Sequence, residues 1–283
     1  MTETFKIALI QSCAGADMAE TLDRAEAQAR DAASQGADIV QFAEFFSCYH
    51  VDEAGIHTDP LPEETHPALL RFVHLAMELK VWVNLGSITV PAPDGRAYNR
   101  QYVIDSAGIV RATYDKIHLF DVNLDADDRY RESASLYPGQ RAVVTDTPWG
   151  KMGLSICYDV RFPHLYRDLA KAGADFLTVP AAFTHRTGKE HWHVLLRARA
   201  IETGCFVFAT CQSGMHGKAR TYGHSLIVGP WGEILAEGAE DDEDIVIATI
   251  DPAEVAKART RIPALKHDRA YDGPTVAKAD AAE

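Results

Sequence analysis

The chain has 283 residues, 47% of them hydrophobic, and a formal net charge of −13 at pH 7. That length buries a full core in one large domain or two small ones. The acidic balance argues against a nucleic-acid partner, which calls for a basic face, and against docking on an anionic membrane. It also means that an acidic substrate would have to be met by a local cation working against the field of the whole chain. Five cysteines, an odd number without CxxC or metal spacing, argue against a disulfide framework and fit a reducing cytoplasm. The start, MTETFKIALIQSC, holds one short apolar run with Lys6 inside it, and reads as neither a secretion leader nor a membrane span.

Runs of strand composition recur along the chain: 5–11, 37–42, 81–90, 102–115, 142–147, 151–157, 175–180, 205–211, 224–230 and 244–251. Asp105-Ser106-Ala107-Gly108 and Pro230-Trp231-Gly232-Glu233 read as hairpin loops. Helical stretches lie between: 18–34 ending at Gly36, 67–80 opened by Pro67, 163–172 opened by Pro163 and ending at Gly173, and 189–203 ending at Gly204. The mixture of helix–strand alternation and hairpins predicts a layered α/β domain with sheets inside and helices outside. One domain over 1–275 is expected, with a loose Ala- and charge-rich tail at 276–283. The acidic run 239–244 reads as a solvated loop.

Three of these runs place a reactive side chain where a strand ends. Glu44 follows ADIVQF and is flanked by Ala43, Phe45 and Phe46. Apolar company desolvates a carboxylate and suits it to general-base work, although a strand-end Glu can equally pair with an Arg. Lys116 follows 109–115, where an ammonium could meet a developing oxyanion; a lone Lys at a strand end is commonly a surface group. Cys157 ends the run GKMGLSIC and precedes a helix-like segment. A helix N-terminus behind the thiol is expected to favour thiolate, the nucleophilic form. The other cysteines, Cys13, Cys48, Cys205 and Cys211, sit in or beside apolar runs with no helix start behind them and read as small buried hydrophobes.

Together these runs resemble the nitrilase superfamily of carbon–nitrogen hydrolases. The likeness extends from FKIALIQ to the RIPALKHDRAYDG run at 261–273, through YDKIHLFD, ES…YPG, GLSICYDVRFP, HWHVLLRARAIET and YGHSLIVGPWGEILAE in the family's order. It implies an α/β fold, a four-layer α-β-β-α sandwich, and a Glu-Lys-Cys triad of Glu44, Lys116 and Cys157. Glu132 matches a glutamate that the family places near the lysine, where it would orient Lys116 or assist the water. Ala43 departs from the proline usual before the catalytic Glu; a slightly freer backbone is expected there, not a lost base. The resemblance further implies an amidase that works through a thioester, uses neither metal nor organic cofactor, and forms a homodimer or higher oligomer.

Cys157-Tyr158-Asp159 stands where nitrile-hydrolysing members carry Cys-Trp-Glu. The CYDVRFP form is most similar to the deaminated glutathione amidases and the related ω-amidases, whose substrates carry carboxylates. The ATCQSGMHGKARTYGHS segment favours the first branch. A carbamoyl-amide hydrolase or a nitrilase is a more distant alternative. Arg161, four residues past the thiol, could bind a substrate carboxylate through two hydrogen bonds, or could pair with Asp159 or a neighbouring helix instead. The Tyr158 N–H is expected at the oxyanion, and Phe183 and Thr184 in the pocket wall. His185 and Arg186 depart from the smaller residues expected beside them.

Other classes fit less well. Among twelve histidines, Glu190, His191 and His193 form the dense sequence cluster, but i and i+2 on a helix point to different faces, and no HExxH occurs. GLSIC lacks the second glycine of GxSxG. A redox thiol protein would carry CxxC or a nearby resolving cysteine. A non-catalytic binding module would be credible only with a triad member missing. Helix 189–203, with Trp192, Val194, Leu195, Leu196 and Ile201, is expected in the core or at a subunit interface.

Overall fold

A computed structural model describes residues 3–53, 55–124 and 129–274. Its frame is two sheets packed face to face. In the first, of seven strands, the order is Asp244–Ile250, Phe5–Gln11, Ile39–Phe42, Trp82–Asn84, Ala97–Ile104 and Ile88–Pro91, with Val110–Asp115 also paired to Ala97–Ile104. In the second, of six, it is Val143–Thr147, Gly150–Leu154, Phe176–Thr178, Phe206–Ala209, Leu226–Val228 and Ile234–Glu237.

Strand alternation decides what each face meets. In Phe5–Gln11, Phe5, Ile7 and Leu9 face the second sheet, where the Phe5 ring meets the edges of Phe176 and Phe208. Ala8 and Ile10 point the other way, onto helices α1 (Met18–Ser34) and α2 (Pro67–Leu79). Leu165 and Leu169 of α3 (Pro163–Lys171), with Trp192 and Leu196 of α4 (His185–Thr203), cover the outer face of the second sheet. The four layers are therefore α-β-β-α. The buried stripe of α1 is Thr21, Leu22, Ala25, Ala29 and Ala32, and its small side chains let the helix lie close to the sheet. Asp17 caps its start by accepting from the Glu20 N–H at 3.1 Å. Gly204, at φ +61, ends α4.

Not all of the space between the sheets is apolar. Gln41 donates to the Phe208 carbonyl and to Thr210 Oγ1, both at 2.9 Å, and accepts from Asn84 at 3.0 Å. Gln101 donates to Asn84 and to Thr178 Oγ1, both at 2.9 Å. All are fully buried, so a slip of one sheet on the other would strand amides without partners.

The structure refines several sequence expectations. The run 81–90 is two strands, because Gly86 at φ +65 brings its backbone against the carbonyls of Phe42 and Ala43, where an added Cβ would lie only 2.4 and 2.0 Å away. Helix α4 starts at His185 instead of 189. Helix α5 (Ala253–Arg261) and the hairpin of Ser213–His216 with Ala219–Tyr222 were not anticipated by the apolar pattern. The acidic run is exposed but not merely solvated: Glu240 pairs with His185, Asp241 with Arg220, and Gln11 donates to the carbonyls of Ala239 and Asp242. The tail expected at 276–283 lies outside the described residues.

His66 caps α2, its Nδ1 accepting the Ala68 N–H at 3.3 Å, while Nε2 is buried without a partner among the described residues. Burial pushes this imidazole down to about 4 from its ordinary 6.5. Between those values the unfolded chain holds a proton that the folded one does not, so stability falls as pH drops. The contribution is whole above about pH 6.5 and lost towards pH 4, a difference on the order of 3 kcal/mol. His66→Asn keeps a cap acceptor without titrating. Denaturant melts should show a flatter loss of stability for this variant between pH 6.5 and 4; parallel curves for the two proteins would contradict the assignment.

Candidate active site

Glu44, Lys116, Glu132 and Cys157 come from four separate segments and meet at one end of the sandwich. Glu44 follows the parallel strand Ile39–Phe42 and Cys157 follows Gly150–Leu154, so both stand at the carboxyl ends of parallel strands, where open α/β sheets leave a crevice. Lys116 follows Val110–Asp115, and Glu132 opens a short turn.

Two sharp backbone turns aim the reacting groups. Cys157 has φ +48, uncommon for a residue with a Cβ, and its N–H is pinned to the Pro180 carbonyl at 2.9 Å. Phe45, next to Glu44, has φ +55, and its N–H is held by Ser87 Oγ at 2.9 Å. Ser87 also donates its N–H to the Ala43 carbonyl at 3.3 Å. With these contacts Glu44 is in position although Ala43 stands where a proline is usual.

Lys116 is 1% exposed, and its Nζ contacts Glu44 Oε1 at 2.8 Å and both oxygens of Glu132 at 2.9 and 2.8 Å. All three ammonium N–H groups are therefore engaged. Burial alone would drag the ammonium down, but Glu132 and Glu44 reverse this and hold it well above its usual value. Burial pushes Glu132 up, and the neighbouring Glu44 adds to this against the pull of Lys116. Glu132 also accepts the Phe120 N–H at 2.7 Å.

Burial raises the Cys157 thiol well above its ordinary value, and the negative charge of Glu44 pushes the same way, while Lys116 opposes. The expectation that a helix start favours thiolate is overturned. The cysteine opens a five-residue 3-10 turn, Cys157–Arg161, too short to offset burial beside a carboxylate. The arrangement holds a neutral thiol facing a base. Among the other cysteines, Cys48, Cys205 and Cys211 are buried and Cys13 is half-buried, and burial raises all four thiols.

Three positioning roles escaped the sequence reading. Asn99 donates from Nδ2 to Glu44 Oε1 at 2.8 Å, and the Ala182 N–H donates to Glu44 Oε2 at 2.8 Å, leaving the carboxylate with a fixed orientation. Asp159, 0% exposed, accepts from Tyr114 OH, the His118 N–H and the Ile156 N–H at 2.7, 3.0 and 2.9 Å, and contacts His118 Nδ1 at 2.7 Å. It thereby ties the segment bearing Lys116 to the turn bearing Cys157. Asn99 and Gln101 share one face of a strand, a pair of amides in an apolar setting that was the available signal.

A small pocket of about 20 Å³ opens above the thiol. Tyr158, Phe183 and Thr184 line it as expected, joined by Tyr49, Phe120 and Tyr130. The Tyr158 N–H sits at the second position of its turn, where the turn supplies no acceptor. Arg161 stands over the rings of Tyr158 and Phe183 at 5.8 and 5.2 Å, with His191 Nδ1 at 3.2 Å. Among the described residues no carboxylate pairs with it, since Asp159 is engaged elsewhere. His185 turns to Glu240 and Arg186 is exposed, so neither departure shapes the pocket wall.

Comparison with known proteins agrees with this geometry. The carbon–nitrogen hydrolase family profile matches residues 6–260. The chain is 41% identical over 268 residues to a deaminated glutathione amidase from Synechocystis sp. (strain PCC 6803 / GT-S), covering 92% of this chain and 96% of that one. The crystal structure of the C. elegans NitFhit protein superposes with a TM-score of 0.86 at 34% identity, over 95% of this chain and 66% of that longer one. Saccharomyces cerevisiae Nit3, a member of branch 10 of the nitrilase superfamily, superposes with a TM-score of 0.80 at 29% identity, over 92% and 95% of the two chains.

Asn99→Leu removes one hydrogen bond to Glu44 without adding charge. It should lower kcat roughly tenfold, with KM and the melting temperature nearly unchanged. Wild-type kcat in this variant would show that Ala182 and Lys116 suffice to orient the carboxylate.

Proposed function

The chain belongs to the carbon–nitrogen hydrolase family, the nitrilase superfamily, whose amidases cleave carbon–nitrogen bonds other than peptide bonds; on that premise we propose a cysteine amidase that hydrolyses the carboxamide of a small carboxylate-bearing substrate to acid and ammonia. The observation that carries this reading is that Cys157 and Glu44 line one pocket beside a buried Lys116 ammonium saturated by two carboxylates.

Cys157 Sγ attacks the amide carbon while its proton passes to Glu44. The carbonyl π electrons move onto oxygen, and this oxyanion is met by the Tyr158 N–H and by Lys116. Lys116 frees a donor by giving up one of its two bonds to Glu132. Each such preorganised donor is typically worth about 3–4 kcal/mol. The C–N bond breaks as Glu44 returns the proton to the leaving nitrogen, and ammonia departs from a thioester. Glu44 then takes a proton from water, the hydroxide oxygen adds to the thioester carbon, and the thiolate leaves and is reprotonated by Glu44. Glu132 keeps Lys116 charged through both halves.

Arg161 supports a carboxylate on the substrate. It is half-buried, unpaired with any acid among the described residues, and packed on the rings of two pocket residues. It answers the local-cation requirement set by the −13 net charge. With the relative named above, this favours a deaminated-glutathione-amidase-like substrate, with an ω-amidase acting on α-ketoglutaramate-type acids as the second reading. The free cysteines are consistent with a cytoplasmic enzyme. No helix among the described residues is long and apolar enough to cross a membrane. On α4, Trp192 and Leu196 are buried while Val194 and Ile201 remain 67% and 52% exposed, which supports a homodimer through that face.

Ammonia release should be measured across deaminated glutathione, α-ketoglutaramate, a ureido acid, a neutral aliphatic amide and a nitrile. Cys157→Ala should lose at least about a thousandfold in turnover and stay folded. Arg161→Leu should raise KM about ten- to a hundredfold for acidic amides, with little change for the neutral one. An active Cys157→Ala variant would remove the covalent scheme, and equal KM effects on both amide classes would remove the carboxylate role of Arg161.

A further inference from the structure

Outside the thiol site the fold gathers two histidines and a glutamate that are far apart in sequence. His193 lies on α4, His224 follows the strand Ala219–Tyr222, and Glu237 ends the strand Ile234–Glu237. Glu237 Oε1 contacts His193 Nε2 at 3.0 Å and His224 Nδ1 at 2.7 Å, and the three ligand-capable atoms lie within 4.8 Å of one another. His191, two residues before His193, points elsewhere and meets Arg161. The cluster is therefore not the one that sequence spacing suggested.

The three side chains are held in place before any ligand arrives. The His224 backbone, at φ +49, donates its N–H to the Ala239 carbonyl at 3.0 Å and accepts the Trp192 Nε1–H at 2.8 Å. The Tyr222 ring packs on both imidazoles, with centroids 4.5 Å from His224 and 6.0 Å from His193. The far nitrogen of His224, Nε2, lies 3.9 Å from Glu240 Oε2, an ion-pair distance beyond hydrogen-bond reach; a shift of roughly half an ångström would give the carboxylate support that metal-bound imidazoles commonly have.

We propose that His193 Nε2, His224 Nδ1 and Glu237 Oε1 form a binding site for a divalent transition-metal ion of the Zn²⁺ type, separate from the Cys157 centre. Each imidazole binds the ion as a neutral group through this nitrogen and carries its ring N–H on the other one; a proton held by an imidazolium goes to solvent. Bonds of about 2.0–2.1 Å in a tetrahedral shell hold ligand atoms roughly 3.3 Å apart, so the two contacts to Glu237 open by roughly 0.3 and 0.6 Å while the two imidazole nitrogens, now within 4.8 Å of each other, draw together. Two imidazoles and one carboxylate suit Zn²⁺, Ni²⁺ and Cu²⁺, and not Ca²⁺ or Mg²⁺. Water completes the shell at the fourth position. The ion would staple α4 to the outer strand of the second sheet. It sits behind Trp192, whose ring packs on the pocket residue Phe183 at 4.9 Å.

The test uses the full tag-free chain, stripped with EDTA and desalted, titrated calorimetrically with ZnCl₂. The free thiols also attract Zn²⁺, so the difference between proteins is the readout. Wild type should bind one ion that His193→Ala, His224→Ala and Glu237→Gln each weaken at least tenfold, and its melting temperature should rise with Zn²⁺ while theirs does not. Electron paramagnetic resonance of the Cu²⁺ form should show one fewer coordinated nitrogen in His193→Ala than in wild type. If His224→Ala does not fold, His193→Gln on the helix surface decides. No stoichiometric binding by wild type, or binding unaltered by these variants, would reduce the trio to an ion-paired staple and overturn the proposal.

Discussion

A fully buried ammonium held between two buried carboxylates organises this molecule. Taking Lys116, Glu44 and Glu132 out of water costs several kcal/mol per ion, and their mutual attraction repays it only when the geometry is tight and the remaining polar atoms are bonded. The fold meets those conditions one atom at a time. Asn99 and the Ala182 N–H complete Glu44, and the Phe120 N–H completes Glu132. Below the site the Gln41, Asn84 and Gln101 amides fix the relation of the two sheets from which Glu44 and Cys157 project. Asp159 adds a direct tie between the lysine segment and the thiol turn. Loss of any one charge would leave the others buried without balance, which makes the cluster a constraint on folding as well as a site.

The same cluster sets the resting chemistry. A thiol beside an ammonium alone would ionise readily. Here burial and the Glu44 charge win over Lys116, and Cys157 stays protonated. On the proposed mechanism the nucleophile is generated only as its proton moves to Glu44 during attack. Lys116 likewise has no idle donor at rest; an oxyanion must compete with Glu132 for one. In the proposed scheme both features would withhold reactivity until an amide occupies the pocket, and a buried neutral thiol leaves no exposed thiolate to oxidise.

Much of this was legible in the sequence because the reactive residues stand where apolar runs end. Glu44, Lys116 and Cys157 were each visible in that way, and Gly36, Pro67, Pro163 and Gly204 marked helix ends close to where they occur. What was not legible depends on contacts between distant segments. The break at Gly86 comes from the approach of the Ala43 carbonyl, which no local pattern records. Helix α4 begins early because Thr184 already has extended backbone at the cap, ahead of a first turn carrying Gly188 that weakens any propensity argument. Asn99 lies between the runs 81–90 and 102–115 that read as strands; only its 2.8 Å bond to a residue 55 positions away gives it a role. The thiol was misjudged in the same way. A helix start is a local signal, and the burial and carboxylate that outweigh it are not. His193, His224 and Glu237 meet only because α4 lies across the second sheet.

The central claim is that Cys157 rests as a neutral thiol and depends on Glu44 for its activation. Its ionisation can be followed by the ultraviolet absorbance of thiolate, as the difference between wild type and Cys157→Ser while pH is raised. The account predicts half-titration above the ordinary thiol value of about 8.5, and a shift downward in Glu44→Gln, where the opposing charge is gone. A Cys157 thiolate already formed below about pH 7 in wild type, as in ion-paired cysteine nucleophiles, would contradict it.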